Sequence, residues 1–280
     1  MTQEATREAR QAALLNSDRL DPDGRDPSAA AAPPPRLRPR DAATLIVLDR
    51  SRKRLKVLMG RRHAGLAFMG GKFVFPGGRI EASDRQMPVA GALSQRTDDA
   101  LRAKLPRAPH HLGRSLALAA IRETYEETGL LIGTRDYGPP ETAPEGAWRA
   151  FHEEGVMPDL EALHLVARAI TPPKRVRRFD TRFFAVDRRA VAAERPGIVG
   201  PDAELTELAW VDLAAARKLD LPRITRVILD DLEAAAEAGF PPYRPIPFYF
   251  ERRGKGLREE ILTGRLQHPR RYRQAAKCTN

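Results

Sequence analysis

The sequence predicts an α/β protein in which a mixed β-sheet is sandwiched between helices. Segments of strand length rich in apolar and β-branched residues fall in the order strands, helix, strands, helix. Two stretches carry helical periodicity. Over 116–128, Leu118, Ile121 and Tyr125 share a face, and over 222–238 Ile224, Val227, Ile228, Leu232 and Ala235 do. With 42% hydrophobic residues in a chain of 280, there is enough apolar material for a substantial core. One organised region is expected over 41–240, after a disordered leader at 1–40 and before a basic C-terminal extension at 241–280.

The elements follow in order. The leader, with Asp21-Pro22-Asp23-Gly24 and Ala32-Pro33-Pro34-Pro35, has no strand period and too little apolar content to offset the entropy of ordering, although 3–15 could form a short helix. Ala42–Leu48 reads as a strand, and Leu55–Met59 as its hairpin partner across a polar turn. Lys72–Phe75 is a short strand stopped by Pro76-Gly77-Gly78. A helix is expected at Asp98–Ala103, an irregular stretch around Pro106 to His111, and then the helix Leu116–Thr128, ended by Gly129 as a left-handed cap. Adjacent His110 and His111 in a polar loop read as solvated rather than as metal ligands. Leu130–Ile132, Leu163–Ile170, Phe179–Val186 and Glu207–Val211 read as strands, Trp148–Glu154 and Leu213–Lys218 as helices. The last expectation is a helical patch near 257–265.

Bulk properties narrow the function. The net charge of +11 favours anionic partners, although a plain basic surface accounts for it equally well. The single cysteine, Cys278, excludes an internal disulfide framework and fits a reducing compartment. No apolar run approaches the length of about 18 residues that spans a bilayer. The N-terminus lacks a secretory apolar core, and Glu4, Glu8 and Asp18 argue against an organellar transit peptide. The cytosol is the expected location.

The chemistry concentrates in Arg122-Glu123-Thr124-Tyr125-Glu126-Glu127-Thr128-Gly129-Leu130. On a helix Glu123, Glu126 and Glu127 fall at i, i+3 and i+4, so three carboxylates share a face. Crowded carboxylates raise one another's pKa unless a positive charge sits among them. A hard divalent cation such as Mg²⁺ takes oxygen ligands and works on phosphates. Upstream, Phe75-Pro76-Gly77-Gly78-Arg79-Ile80-Glu81 is a glycine turn that could bring backbone close to such an ion.

Together these residues resemble the box of the Nudix hydrolase family, G-x5-E-x7-R-E-U-x-E-E-x-G-U with U apolar. Gly78 matches its first glycine, and Arg122, Glu123, Glu126, Glu127, Gly129 and Leu130 match its second half. Asp84 stands where the family has Glu, and Thr124 takes an apolar position. Between Asp84 and Arg122 lie 37 residues where the family has seven, so the box is split by an insertion of about 30, assigned to 85–113. The resemblance implies the Nudix α/β/α sandwich and one to three Mg²⁺ or Mn²⁺ ions. It makes Glu126 and Glu127 metal ligands, Glu123 a ligand or a support for the base, and Gly78 a ligand through its carbonyl. It gives Arg122 the role of orienting the carboxylates through a salt bridge. A further acid often comes from a distant loop; Glu204 and Glu207 are the candidates.

The implied reaction is attack of water on a pyrophosphate of a nucleoside diphosphate linked to another group. A long insertion in the box is similar to the coenzyme A diphosphatases of peroxisomal type. Their upstream signature is met at Leu58, Arg61, Gly71 and Phe75–Gly78 but not at Ala67, where it has a second arginine. Arg61, Arg175, Arg178 and Arg182 are candidates for binding the substrate, either the 3′-phosphate of coenzyme A or any diphosphate. Coenzyme A or acyl-CoA, cut to 3′,5′-ADP and a phosphopantetheine product, leads the substrate reading, ahead of ADP-ribose, a nucleotide sugar or a dinucleotide. An alternative of another class is a catalytically silent nucleotide-binding regulator. The basic tail with Arg252-Arg253 and Arg270-Arg271-Tyr272-Arg273 lacks a stacking motif for nucleic acid, so the expected partners are a small nucleotide-like molecule, no nucleic acid, no membrane, and a possible second copy of the chain.

Overall fold

The computed structural model describes residues 37–262 apart from 52, 174 and 176. The leader to 36, the tail from 263 and Cys278 lie outside the described residues.

The first strand, β1 (Arg40–Asp49), is followed by β2 (Lys56–Arg62), β3 (Phe73–Val74) and β4 (Gly77–Arg79). Next come α1 (Gln95–Arg102), α2 (Leu112–Thr128), β5 (Leu130–Ile132) and α3 (Ala147–Glu153). Then follow β6 (His164–Ile170), β7 (Phe179–Asp187), β8 (Val191–Glu194) and β9 (Leu205–Asp212). The chain continues through α4 (Leu213–Ala216), α5 (Arg223–Glu237), β10 (Ile246–Arg252) and β11 (Lys255–Ile261).

Nine strands form one mixed sheet in the order β11-β10-β6-β7-β1-β2-β3, with β4 on β1 and β9 on β2. Its centre is the parallel pair β1 and β7, in register from Arg40 opposite Phe179 to Leu48 opposite Asp187. Alternation along β1 sends Ala43, Leu45 and Val47 to one face and Ile46 and Leu48 to the other. The first face is covered by α1, α2 and α3, the second by α5, whose Val227, Ile228 and Leu232 are fully buried. This is the expected α/β/α sandwich.

Several boundaries differ from the sequence reading. α2 begins at Leu112, four residues before the expected Leu116, because Leu112 and Gly113 already pack in the core. The Pro76-Gly77-Gly78 turn leads into β4, a strand of its own, whose three residues pair with Ala42, Ala43 and Thr44. The expected helical patch near 257–265 is strand as far as Ile261, because Lys255–Ile261 pairs along its whole length with β10. β10 in turn runs parallel to β6, so this hairpin extends the main sheet. β5 stands apart from that sheet and pairs with β8.

The box insertion is anchored against this frame. Ser94 caps α1 through its hydroxyl, which accepts from the Thr97 N–H at 3.2 Å. Ala100 and Leu101 are buried in the same core as Leu116 and Phe248. Arg168 of β6 donates to the Ala103 carbonyl at 2.7 Å, and Lys104 pairs with Glu259 of β11.

Candidate active site

α2 presents its apolar residues to the sheet, with Leu118 and Ile121 fully buried. Thr124, at the normally apolar box position, is buried too; its hydroxyl donates to the Ala120 carbonyl at 2.7 Å, which removes the cost of an unpaired polar group. Gly129 ends the helix with φ of 80°, in the left-handed region, and its N–H donates to the Tyr125 carbonyl at 2.8 Å.

β4 brings the glycine turn onto this helix. A Cβ on Gly78 would lie 2.2 Å from Oε1 of Glu123, so only glycine leaves room for that carboxylate. The two halves of the box thus meet across the insertion. Arg122, which is 2% exposed, is the hub of the cluster. Its Nη1 donates to Glu123 at 3.0 Å and Glu126 at 2.6 Å, its Nε to Asp84 at 2.8 Å, and its Nη2 to the Arg79 carbonyl at 2.7 Å. Asp84 is fully buried and also accepts from the Glu81 N–H at 2.8 Å. The residue that departs from the family pattern is therefore the main anchor of the box arginine.

Electrostatically the site is rich in uncompensated carboxylate. Burial pushes Glu123 up to about 7, helped by the charges of Glu126 and Glu204 and opposed by Arg122. Glu126 is raised by burial and by Glu81 and Asp84, against Arg122. Glu127 is raised well above the usual carboxylate range by burial, Glu204 and Glu123, against Arg62 and the Gly77 N–H. Burial opposes the charge on Arg122, but Asp84, Glu123 and Glu126 more than offset it and raise its pKa.

Among the described residues, no three acidic, histidine or cysteine side chains stand as a ready-made coordinating group. Arg122 draws Glu123 and Glu126 to itself, and Glu127 is the most buried of the three. The donor set nevertheless fits a divalent cation. Oε2 of Glu127 is buried with no hydrogen-bond partner, and burial holds all three glutamates above their ordinary pKa, a penalty that a cation would relieve.

The remaining predicted site residues separate. Glu204 belongs with the site: it acts on both Glu123 and Glu127 and is held by Arg62 at 2.7 Å. Glu207 instead pairs with Arg61 at 3.1 Å, its neighbour across β2 and β9, and both are about half exposed. Arg61 also lies over the Phe73 ring. Arg178 spends its guanidinium on the carbonyls of Thr171 and Leu37. Arg175 is partly buried in the loop between β6 and β7. Arg182 corrects the sequence reading: it is fully buried and ties Asp41 of β1 to Asp180 of β7, so it braces the sheet instead of meeting a substrate. His110 and His111 are exposed, as expected of solvated residues. Arg62 was not singled out from sequence, although counting the upstream signature from Leu58 to Gly71 puts its first arginine at 62 and not at 61; strand alternation turns the two neighbours to opposite faces.

No protein-family model matches the chain. Among solved structures, it is similar to a Nudix hydrolase from Alicyclobacillus acidocaldarius, with 27% identity and a TM-score of 0.51 over 71% of this chain and 96% of that one. The NUDIX domain of Shewanella oneidensis NrtR, solved with ADP ribose, is 13% identical with a TM-score of 0.40 over 84% and 99% of the two chains. RenU, a Nudix hydrolase from M. smegmatis, is 19% identical with a TM-score of 0.37 over 72% and 88%. These last two are too distant to bear on function. The first likeness, with the assembled box, supports the Nudix family and a hydrolase activity.

Proposed function

We propose that this hydrolase is metal-dependent, working with Mg²⁺ or Mn²⁺, and that its preferred substrate is coenzyme A or an acyl-CoA, cut to 3′,5′-ADP and a phosphopantetheine product. The observation that carries the metal dependence is the buried, unpartnered Oε2 of Glu127 beside two further carboxylates of raised pKa. Glu126, Glu127, Glu123 and the Gly78 carbonyl would hold the ion. When bound, it neutralises phosphate oxygens and lowers the pKa of a coordinated water.

The chain's own residues do the rest. Arg122 fixes the rotamers of Glu123 and Glu126 from below, and Asp84 fixes Arg122. By its match to the box, Glu123 would be a ligand of the ion or a support for the base. Glu204, positioned by Arg62, is the better of the two candidates for the additional acid. The coenzyme A preference is supported by the insertion in the box and by Leu58, Gly71 and Phe75–Gly78. The cytosol remains the proposed location.

A panel of coenzyme A, acetyl-CoA, ADP-ribose, a nucleotide sugar and a dinucleotide, each with Mg²⁺ or Mn²⁺, tests this reading. The highest kcat/KM is expected for the coenzyme A compounds. Preference for another substrate would overturn that choice while leaving the chemistry. Tight nucleotide binding with no turnover would identify a silent regulator instead.

A further inference from the structure

The insertion separates two residues that the site needs together. Asp84 anchors Arg122, and Arg122 holds Glu123 and Glu126, yet 37 residues lie between Asp84 and Arg122. A connection of that length holds its ends less tightly than one of seven, because the entropy lost on closing a loop grows with its length. The register of Asp84 on α2 must be fixed by something other than the connection.

Arg114, in the first turn of α2, makes the contacts that can fix it. Its Nη1 donates to the Arg85 carbonyl at 3.0 Å and its Nη2 to the Met87 carbonyl. Those carbonyls follow Asp84 directly, at and just beyond the end of the 3-10 turn Ser83–Arg85. Arg114 and Arg122 stand eight residues apart, about 12 Å along the helix. The segment Asp84–Met87 therefore runs back along α2 with a guanidinium at each end, Arg122 on the carboxylate and Arg114 on the two carbonyls.

Nothing local favours an arginine at this position. A cation in the first turn of a helix opposes the helix dipole. Arg114 is also partly buried, which lowers its pKa, and it forms no ion pair among the described residues. Its hydrogen bonds to the carbonyls of 85 and 87 are what offset those costs. The exit of the insertion is fixed at the same place. A Cβ on Gly113 would overlap the Asp98 carboxylate, so α1 lies directly on the turn that carries Arg114. Met87 shares the core of Leu112 and Leu116. Entry and exit of the insertion thus meet at the start of α2.

We propose that Arg114 is a positioning residue of the active site. It sets the register of Asp84 on α2 across the insertion, and through Asp84 it sets the guanidinium of Arg122 and the carboxylates of Glu123 and Glu126. The catalytic consequence rests on the proposed function, whereas the clip itself does not.

Two measurements on the full-length protein test this. The first uses whichever substrate of the panel is cleaved fastest, at saturating Mg²⁺. Arg114→Ala should lower kcat about 10- to 100-fold with KM unchanged, as expected for a displaced catalytic group. Arg114→Lys, which can reach one carbonyl, should fold and show an intermediate kcat. Ser94→Ala removes the cap of α1 and loosens the insertion away from its base, so it should lower Tm and leave both constants unchanged. The second measurement needs no activity. In urea unfolding, Arg114→Ala should lower the midpoint less in an Asp84→Asn background than in the wild type, because the two residues act in one chain of contacts. Wild-type kcat in either Arg114 variant would overturn the assignment, as would equal midpoint losses in the two backgrounds. Coupled midpoints in a protein that hydrolyses none of the panel would uphold the clip and refute the proposed function.

Discussion

At the scale of single residues, the site turns on one arginine and one glycine. Arg122 is buried among Asp84, Glu123 and Glu126, so Arg122→Ala would leave Asp84 buried with no countercharge. Breaking such a cluster from one side is expected to cost about 3–5 kcal/mol, measurable as a lower urea midpoint at unchanged slope. Gly78→Ala should behave differently. Its methyl group would displace the end of a flexible Glu123 side chain, so kcat should fall by an order of magnitude or more with little change in Tm. Glu126→Gln should abolish metal-dependent turnover in the same assay while the fold persists; unchanged hydrolysis would remove Glu126 from the metal set. The glutamates and Arg122 were legible because their spacing on a helix is itself a geometric statement. Arg182 was not. Four arginines within eight residues look alike in sequence, and burial of one of them depends on Asp41, which lies 141 positions away and meets it only across the parallel β1–β7 pair.

At the scale of elements, long periodic segments were readable and short paired ones were not. α2 and α5 declare themselves through their apolar faces, whereas β4 exists only because three residues find Ala42, Ala43 and Thr44 on β1. β10 and β11 were missed for a related reason. The Pro-rich start and basic composition gave no clean alternation, and what makes them strands is pairing with each other and with β6. The end of α2 was legible through Gly129, and it supplies a test. Alanine there would adopt a left-handed backbone and place its Cβ 2.2 Å from the Arg195 carbonyl oxygen. The conformational penalty alone is about 1–2 kcal/mol, and the backbone clash adds to it. Gly129→Ala should therefore lower Tm while Gly78→Ala does not, although both replace box glycines.

At the scale of the whole molecule, the cost of gathering buried carboxylates should appear in the dependence of stability on pH. In the metal-free protein Glu123 has a folded-state pKa of about 7 against an ordinary value of 4.5. Between those values the folded state binds more protons than the unfolded state, so stability must fall as pH rises. The stabilisation from a protonated Glu123 is fully present below about pH 4.5, declines through the interval, and is gone above about pH 7. It amounts to about 3 kcal/mol for this group. Glu126 and Glu127, also raised, act in the same direction. His164 opposes them below its ordinary pKa of 6.5, because burial lowers its own. Asp49, Glu153 and Asp212 are lowered, so their influence is confined to more acid solution. Comparing the wild type with Glu123→Gln isolates the Glu123 contribution, since His164 is common to both. Urea unfolding in the presence of a chelator should show the wild type losing stability relative to the variant between about pH 4.5 and about pH 7. Saturating Mg²⁺ or Mn²⁺ should reverse that trend, because the ion binds the ionised carboxylates and stabilises the folded state by mass action. A wild type and variant that keep a constant difference across this range, with and without the ion, would show that Glu123 does not titrate there and is not part of a metal site.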